Sequence, residues 1–281
     1  MFYIGLDLAW GMNRQTGIAI VDAQGNLVSV TAALTNEQIS QYVTPYLDGV
    51  GLVGIDAPLV VNNPSGPRPC EAEVTQIYGK FHAGAHSSSL QRKEFRPRPR
   101  GAIISEELGL DIDPTSQALR RAIEVFPHPA IVALFRLSRI LKYKDKTAKG
   151  KPPRRLEELR PELERLMWLI ETQLSERDIA LHVRHNSDWQ RLKSAVRLAP
   201  TKAALGRAED EVDAVLCAYV ARYADLNPTD VVIYGDIETG YIVTPRLPPG
   251  LKPGPLQPPA DIAPEVAMEA SASAFDRALA S

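Results

Sequence analysis

The chain has 281 residues, a formal net charge of −2 and 44% hydrophobic residues. This ordinary globular balance excludes wholesale disorder, and the near-neutral charge gives no overall polybasic signature of a nucleic-acid binder. The longest nearly apolar run, residues 51–61, is about half of what a bilayer requires and the N-terminus has no basic region, so we expect no membrane span and no signal peptide. The two cysteines, Cys70 and Cys217, form no motif, so we expect a cytoplasmic location with reduced thiols.

The predicted elements begin with three closely spaced strands, Phe2–Ala9, Thr16–Val21 and Leu27–Ala33. In the first strand, Asp7 shares a face with Gly5, opposite the larger apolar side chains. Strands joined by such short connections favour an antiparallel meander.

A helix and a fourth strand follow the meander. Thr35 and Gln38 have the spacing of a capping box, and an apolar stripe up to Leu47 predicts an amphipathic helix. Leu52–Ile55 is short and wholly apolar, as in strands that are buried on both faces.

The later elements are spaced more widely. Ala122–Phe126 is a predicted strand, Arg154–Leu174 and Glu209–Ala224 are predicted helices, and residues 231–234 and 241–244 form a predicted hairpin. Together these elements predict an α/β fold in which the meander is extended by further strands into a mixed sheet flanked by helices.

The spacing of the elements predicts one domain over residues 1–244. It contains helical or loop insertions at about residues 62–115 and 137–200. Residues 245–281 hold eight of the 23 prolines and many alanines, so this tail is predicted to be largely disordered.

Two aspartates lie where apolar residues are expected. Asp7 is inside an apolar strand, and Asp56 ends another. A buried carboxylate is unfavourable unless it is paired, hydrogen-bonded or bound to a metal ion. Structural interpretations stay open, because Asp7 could face solvent and Asp56 could cap the turn that begins at Ala57.

Two further aspartates, Asp210 and Asp213, lie three residues apart and therefore on one face of the last predicted helix. Glu209, Asp210 and Glu211 lie in the first turn of that predicted helix, where the helix dipole favours anions without any functional role. Asp213 adjoins the apolar stripe and is less easily explained. Clustered carboxylates suit Mg²⁺ or Mn²⁺, and such ions can promote phosphodiester hydrolysis.

Positive charge is concentrated in two segments. Residues 91–100 carry five Lys or Arg against one acid, and residues 136–155 carry nine against one. These basic segments are either solvated loops and helix faces or a surface that contacts the phosphates of a nucleic acid, DNA or RNA.

Five blocks of the sequence resemble the family called domain of unknown function 429. They are Ile4–Trp10, Gly54–Leu59, Arg68–Glu71, Glu124–Pro127 and Glu209–Leu216. The family is regarded as a set of predicted nucleases with an RNase H-like fold. The last block also resembles the acidic helix of RuvC-type Holliday junction resolvases.

The resemblance implies an RNase H-like fold and a nuclease that uses a metal-activated water. Asp7, Asp56, Asp210 and Asp213 would be its catalytic and metal-binding residues, with Mg²⁺ or Mn²⁺ as the cofactor. Glu124 matches a family block and is a further catalytic candidate, either as an edge ligand or as a structural acid.

Two other functions stay open at this point. One is a non-catalytic RNase H-like module that binds a partner. The other is a relative of the actin-like ATPases and sugar kinases, although Asp7 is not followed by the glycine- and threonine-rich phosphate loop that those proteins need. The sequence leaves the oligomeric state undetermined.

Overall fold

The computed structural model of the chain describes residues 1–12, 14–145 and 152–255. Its elements are β1 (Phe2–Asp7), β2 (Thr16–Asp22), β3 (Leu27–Ala33), α1 (Asn36–Val43), β4 (Gly51–Ile55), α2 (Pro69–Tyr78), α3 (Arg100–Glu107), β5 (Arg120–Glu124), α4 (Pro127–Leu134), α5 (Leu156–Gln173), α6 (Ser187–Leu198), α7 (Lys202–Leu226), β6 (Val231–Asp236) and β7 (Gly240–Pro245).

The main sheet has the strand order β3-β2-β1-β4-β5. β1, β2 and β3 form the predicted antiparallel meander, and β4 and β5 continue the sheet parallel to β1. The mixed sheet is flanked by helices, so the predicted α/β class with an RNase H-like arrangement is confirmed. β6 and β7 form a separate hairpin, which meets the end of β5 through a bridge between Val125 and Val243.

The centre of the core is the contact between α7 and the sheet. A Cβ atom on Gly5 would lie 1.9 Å from the carbonyl oxygen of Ala214, and one on Gly17 would lie 1.9 Å from that of Asp210. A Cβ atom on Gly54 would come within 2.4 Å of the backbone of the same helix. Glycine in β1, β2 and β4 therefore allows α7 to lie backbone to backbone on the sheet.

The start of α7 corrects one prediction. The helix begins at Lys202, and the side chain of Thr201 caps it by accepting a hydrogen bond from the backbone N–H of Ala204 at 3.1 Å. Glu209 and Asp210 thus lie beyond its first turn, and the expectation that they complement the helix dipole at its start is wrong. The helix dipole therefore does not explain why Glu209 and Asp210 are acidic.

For the other helices and strands, the observed boundaries lie closer to the predicted ones. The capping box of α1 is present, and β5 ends at Glu124, two residues before the predicted end, because the helix α4 starts with Pro127 in its first turn. The predicted insertions hold α2 and α3 and, further on, α5 and α6.

The predicted tail is only partly described. Pro245 is the last residue of β7, and residues 246–255 follow without a helix or strand. Residues 256–281 lie outside the described residues, so the prediction of disorder stays a prediction. Among the helices that the structure describes, none is long and apolar enough to cross a membrane.

The packing of α7 predicts that Gly5→Ala lowers the free energy of unfolding by about 3 kcal/mol, because the new methyl group meets backbone atoms that cannot move separately. Gly206→Ala in α7 is the matched control. Its Cβ atom has no neighbour within 4 Å, so it should be neutral or slightly stabilising. Urea denaturation measures both, and equal midpoints for the two variants would contradict the proposed packing.

Candidate acidic active site

Asp7 and Asp56 lie side by side at one edge of the sheet. Asp7 is the last residue of β1, and Asp56 directly follows β4, the parallel neighbour of β1. Leu6 pairs with Ile55, and the backbone N–H of Asp56 donates to the carbonyl oxygen of Leu6 at 2.8 Å. The two aspartates therefore leave adjacent strands at the same level, about 4.8 Å apart in the backbone.

Both aspartates face α7. The glycines that contact α7 in β1 and β4 lie two residues before Asp7 and Asp56, and side chains two residues apart share a face of a strand. Gly17 pairs with Asp7 in the sheet, and the backbone of Asp210 rests on Gly17. The close packing of α7 therefore places Asp210 near Asp7 and Asp56.

A cavity of about 1180 Å³ opens at this edge of the sheet. Its lining includes Asp7, Asp56, Glu209 and Asp210, which are called the acidic floor below, and also Lys144. Of the predicted site residues, Asp7, Asp56, Asp210 and Glu124 line the cavity. Asp213 is absent from the lining and lies beneath it.

Asp213 is fully buried, with 0% of its surface exposed. The hydroxyl of Tyr143 donates to its carboxylate, at 3.1 Å from Oδ1 and 3.3 Å from Oδ2. The ammonium of Lys144 lies 2.5 Å from Oδ2. A buried carboxylate is stable only with such partners, so Asp213 and the Tyr143–Lys144 pair form one unit.

Lys144 brings a positive charge into the acidic cluster. Besides Asp213, its Nζ atom lies 3.1 Å from Oε1 of Glu209 and 3.9 Å from Oδ2 of Asp7. Burial alone would lower the pKa of the ammonium, but the three carboxylates outweigh burial and hold this pKa well above its usual value. Lys144 is therefore a permanent cation of the site.

One ammonium does not neutralise the cluster. Burial raises the pKa of the Asp210 carboxyl to about 8, and the charges of Asp7 and Glu209 act in the same direction. Burial likewise raises the pKa of Glu209 to about 7, against the opposing effect of Lys144. The site thus concentrates more negative charge than its own cation balances, and perturbed carboxyls in a cavity are typical of functional sites.

The donor chemistry of this site fits a hard divalent cation. Asp7, Asp56 and Asp210 offer carboxylate oxygens from three neighbouring backbone segments, and an excess of negative charge favours an ion that displaces protons. Within the described ranges, no group of three or more His, Cys, Asp or Glu side chains is already arranged around a metal position. Binding would therefore require the carboxylates to reorient around the ion.

Glu124 is held in a separate network. Its carboxylate accepts hydrogen bonds from both terminal nitrogens of Arg68, at 2.9 and 2.5 Å, and from the backbone N–H of Leu59 at 2.9 Å. Arg68 is buried and also pairs with Glu71 at 2.9 Å. Since both oxygens of Glu124 have partners, these contacts favour the structural interpretation of this acid, which fixes one wall of the cavity.

The two basic segments divide into residues with different surroundings. In residues 91–100, the exposed Arg92 lines the cavity, with its guanidinium 5.2 Å from the ring centre of Trp10. Arg100 is buried and donates to Asn36 and to backbone carbonyls, so its role is structural. In residues 136–155, Lys144 lines the cavity, whereas residues 146–151 lie outside the described residues.

Several residues of the cavity have no distinguishing signal in the sequence. Arg14 and Arg207 are exposed residues of its lining that lie outside both basic segments. The sequence pattern places Glu209 at a helix start, and Lys144 is one of nine basic residues in its segment. No local signal separates Lys144 from its basic neighbours, because its role depends on Asp213, which is far away in the chain.

A family model described as "Protein of unknown function (DUF429)" matches residues 5–239. The match includes every acidic residue of the cavity and also Asp213. The comparisons with curated proteins and with solved structures gave no match.

The raised pKa values predict how stability depends on pH. An acid whose pKa is higher in the folded chain stabilises the fold fully below its unfolded pKa, and this contribution disappears as pH rises through the folded pKa. With a chelator present, the melting temperature should therefore fall between about pH 4 and about pH 8, where the unfolded chain has lost the protons of Glu209 and Asp210 and the folded chain still keeps them.

Added Mg²⁺ should raise the melting temperature more at the alkaline end of this range than at the acidic end, because it then competes with fewer protons. Asp210→Asn should flatten the decline with pH and reduce the effect of the ion. A Mg²⁺ effect that is equal at both ends, or unchanged in Asp210→Asn, would contradict the assignment of excess charge to these acids.

Proposed function

We propose that this chain, which belongs to the DUF429 family, is a divalent-metal-dependent nuclease that hydrolyses phosphodiester bonds of nucleic acid. The observation that carries the proposal is the meeting of Asp7, Asp56 and Asp210 in one large cavity. This cavity lies at the carboxyl ends of parallel strands, the edge where open α/β sheets bind their ligands.

The acids have two different parts in the proposal. Asp7, Asp56 and Asp210 would hold Mg²⁺ or Mn²⁺, while Asp213 holds Lys144 in place from beneath the cavity. When bound, the cation would lower the pKa of water and polarise a phosphoryl oxygen. The ammonium of Lys144, which also lines the cavity, would attract the negative charge of the phosphate.

Exposed arginines at the cavity suit a phosphate-rich substrate. Arg14, Arg92 and Arg207 are exposed and line the same cavity as the acids. Guanidinium groups bind phosphate oxygens in pairs of hydrogen bonds, and they offset the repulsion between a polyanion and an acidic floor. This arrangement supports a nucleic-acid substrate although the net charge of the chain is −2.

The ion pairs of Lys144 favour a second candidate, a non-catalytic binding module. If the ammonium alone neutralised Asp213 and Glu209, the acids would have a structural role and the arginines would still bind a partner. The two candidates share the fold and the basic residues, and they differ in whether the acids support hydrolysis.

The proposed nuclease predicts that Asp7→Asn lowers metal-dependent cleavage of an oligonucleotide by at least about a hundredfold, since groups that stabilise charge in the transition state contribute on that scale. Asp178→Asn is the control, because Asp178 is exposed and lies outside the cavity lining. The measurement is the initial rate on labelled DNA and RNA in Mg²⁺ or Mn²⁺. Wild-type rates in Asp7→Asn would contradict the role given to Asp7, whereas an absence of cleavage by the unsubstituted chain would leave the binding module as the better candidate.

The cavity arginines predict a change in the salt dependence of nucleic-acid binding. The double variant Arg14→Ala/Arg207→Ala should reduce the slope of log affinity against log salt by about 2, because two phosphates would no longer be neutralised by the chain. Arg98→Ala is the matched control, because Arg98 belongs to a basic segment but pairs with Glu106 at 2.6 Å and lies outside the lining. Fluorescence anisotropy measures the slope, and equal slopes for the two variants would contradict the proposed phosphate-binding surface.

A further inference from the structure

We propose that Lys144 is the second cation of the site, so that the protein binds one divalent metal ion, in contrast to the pair of ions about 3.5–4 Å apart that many phosphodiester-cleaving enzymes bind. This inference rests on the proposed function. Its first support is position: the Nζ atom of Lys144 lies within 4 Å of three carboxylates, those of Asp213, Glu209 and Asp7. A second metal ion beside these carboxylates would compete with the ammonium for their oxygens.

Lys144 is held in this position by the residues around it. On its N-terminal side, the Tyr143 hydroxyl donates to Asp213. The backbone carbonyl of Lys144 accepts a hydrogen bond from Arg154 at 2.6 Å. On its C-terminal side, Asp145 pairs with Lys202 at 2.5 Å. The ammonium is therefore fixed among the carboxylates by contacts on both sides.

The carboxylates fall into two groups. Asp213 is fully buried and has its oxygens engaged by Tyr143 and Lys144, so an ion arriving through the cavity does not meet it. Asp7, Asp56 and Asp210 line the cavity and face such an ion. One divalent ion therefore has a position among the latter three, next to the ammonium.

A second divalent ion has no comparable position among the described residues of the cavity floor. The remaining acid of the floor is Glu209, which lies 3.1 Å from the ammonium of Lys144. An ion bound to Glu209 would be placed against a fixed positive charge, and the repulsion between like charges grows as their separation and the local dielectric constant fall. Two positive centres would still face the substrate, one of them a metal ion and the other part of the chain.

Lys144 also differs from the other cations of the cavity. Arg14, Arg92 and Arg207 are exposed, as expected for residues that bind and release a polyanion. The side chain of Lys144 is only 12% exposed, yet it lines the cavity. This position suits a charge that acts on the reacting phosphate and not on the flanking backbone of the nucleic acid.

The test is the number of Mn²⁺ ions bound by the full chain, measured by isothermal titration calorimetry with Mn²⁺ alone and by electron paramagnetic resonance of the free ion. We expect one ion per wild-type chain and one per Lys144→Arg chain, since arginine keeps the charge. Lys144→Met, which keeps most of the stem and removes the charge, should bind two ions. Circular dichroism shows whether each variant is folded.

The outcomes separate this inference from the proposed function. Two ions in the wild type, together with metal-dependent cleavage, would overturn the role of Lys144 and leave the nuclease proposal standing. A single ion in folded Lys144→Met would also overturn it. No Mn²⁺ binding and no cleavage would overturn both proposals. The wild-type measurement requires no variant, so two ions in the wild type would overturn the inference even if Lys144→Met does not fold.

Discussion

The direct contact between α7 and the sheet determines most of what the candidate site contains. Gly5, Gly17 and Gly54 lie on three adjacent strands and leave the helix backbone against the strand backbones. Any side chain in their place would lift α7 and move Asp210 and Asp213 away from the edge where Asp7 ends β1. The same feature that closes the core therefore brings acids from distant parts of the chain together.

Bringing these acids together is electrostatically unfavourable, and other groups of the site offset part of that cost. Burial raises the pKa values of Glu209 and Asp210, and the repulsion between neighbouring carboxyls raises them further. Lys144 offsets part of this repulsion from within, and protons or a divalent cation offset the remainder. A cluster that opposes its own ionisation contributes little to stability, which is consistent with a site kept for its chemistry.

The sequence predicts the parts of this structure that depend on local patterns. Short strands with close connections predict the meander, the Thr35 capping box predicts α1, and the family blocks point to the acids of the cavity. Long-range effects lie beyond such patterns. The early start of α7 depends on its Thr201 cap, which the apolar stripe does not include, and the place of Lys144 depends on Asp213 and Tyr143 meeting across the fold. Nor does composition separate the buried Arg100 from the exposed Arg92 in one basic segment.

The central claim is that Asp7, Asp56 and Asp210 together bind a divalent cation. Crystals of the protein grown with Mn²⁺ test it most directly, through anomalous diffraction at the manganese edge. We predict one strong peak at about 2.0–2.2 Å from carboxylate oxygens of these three residues, with the ammonium of Lys144 still beside Asp213. A map without a peak in the cavity, or with peaks only at other surface acids, would contradict it.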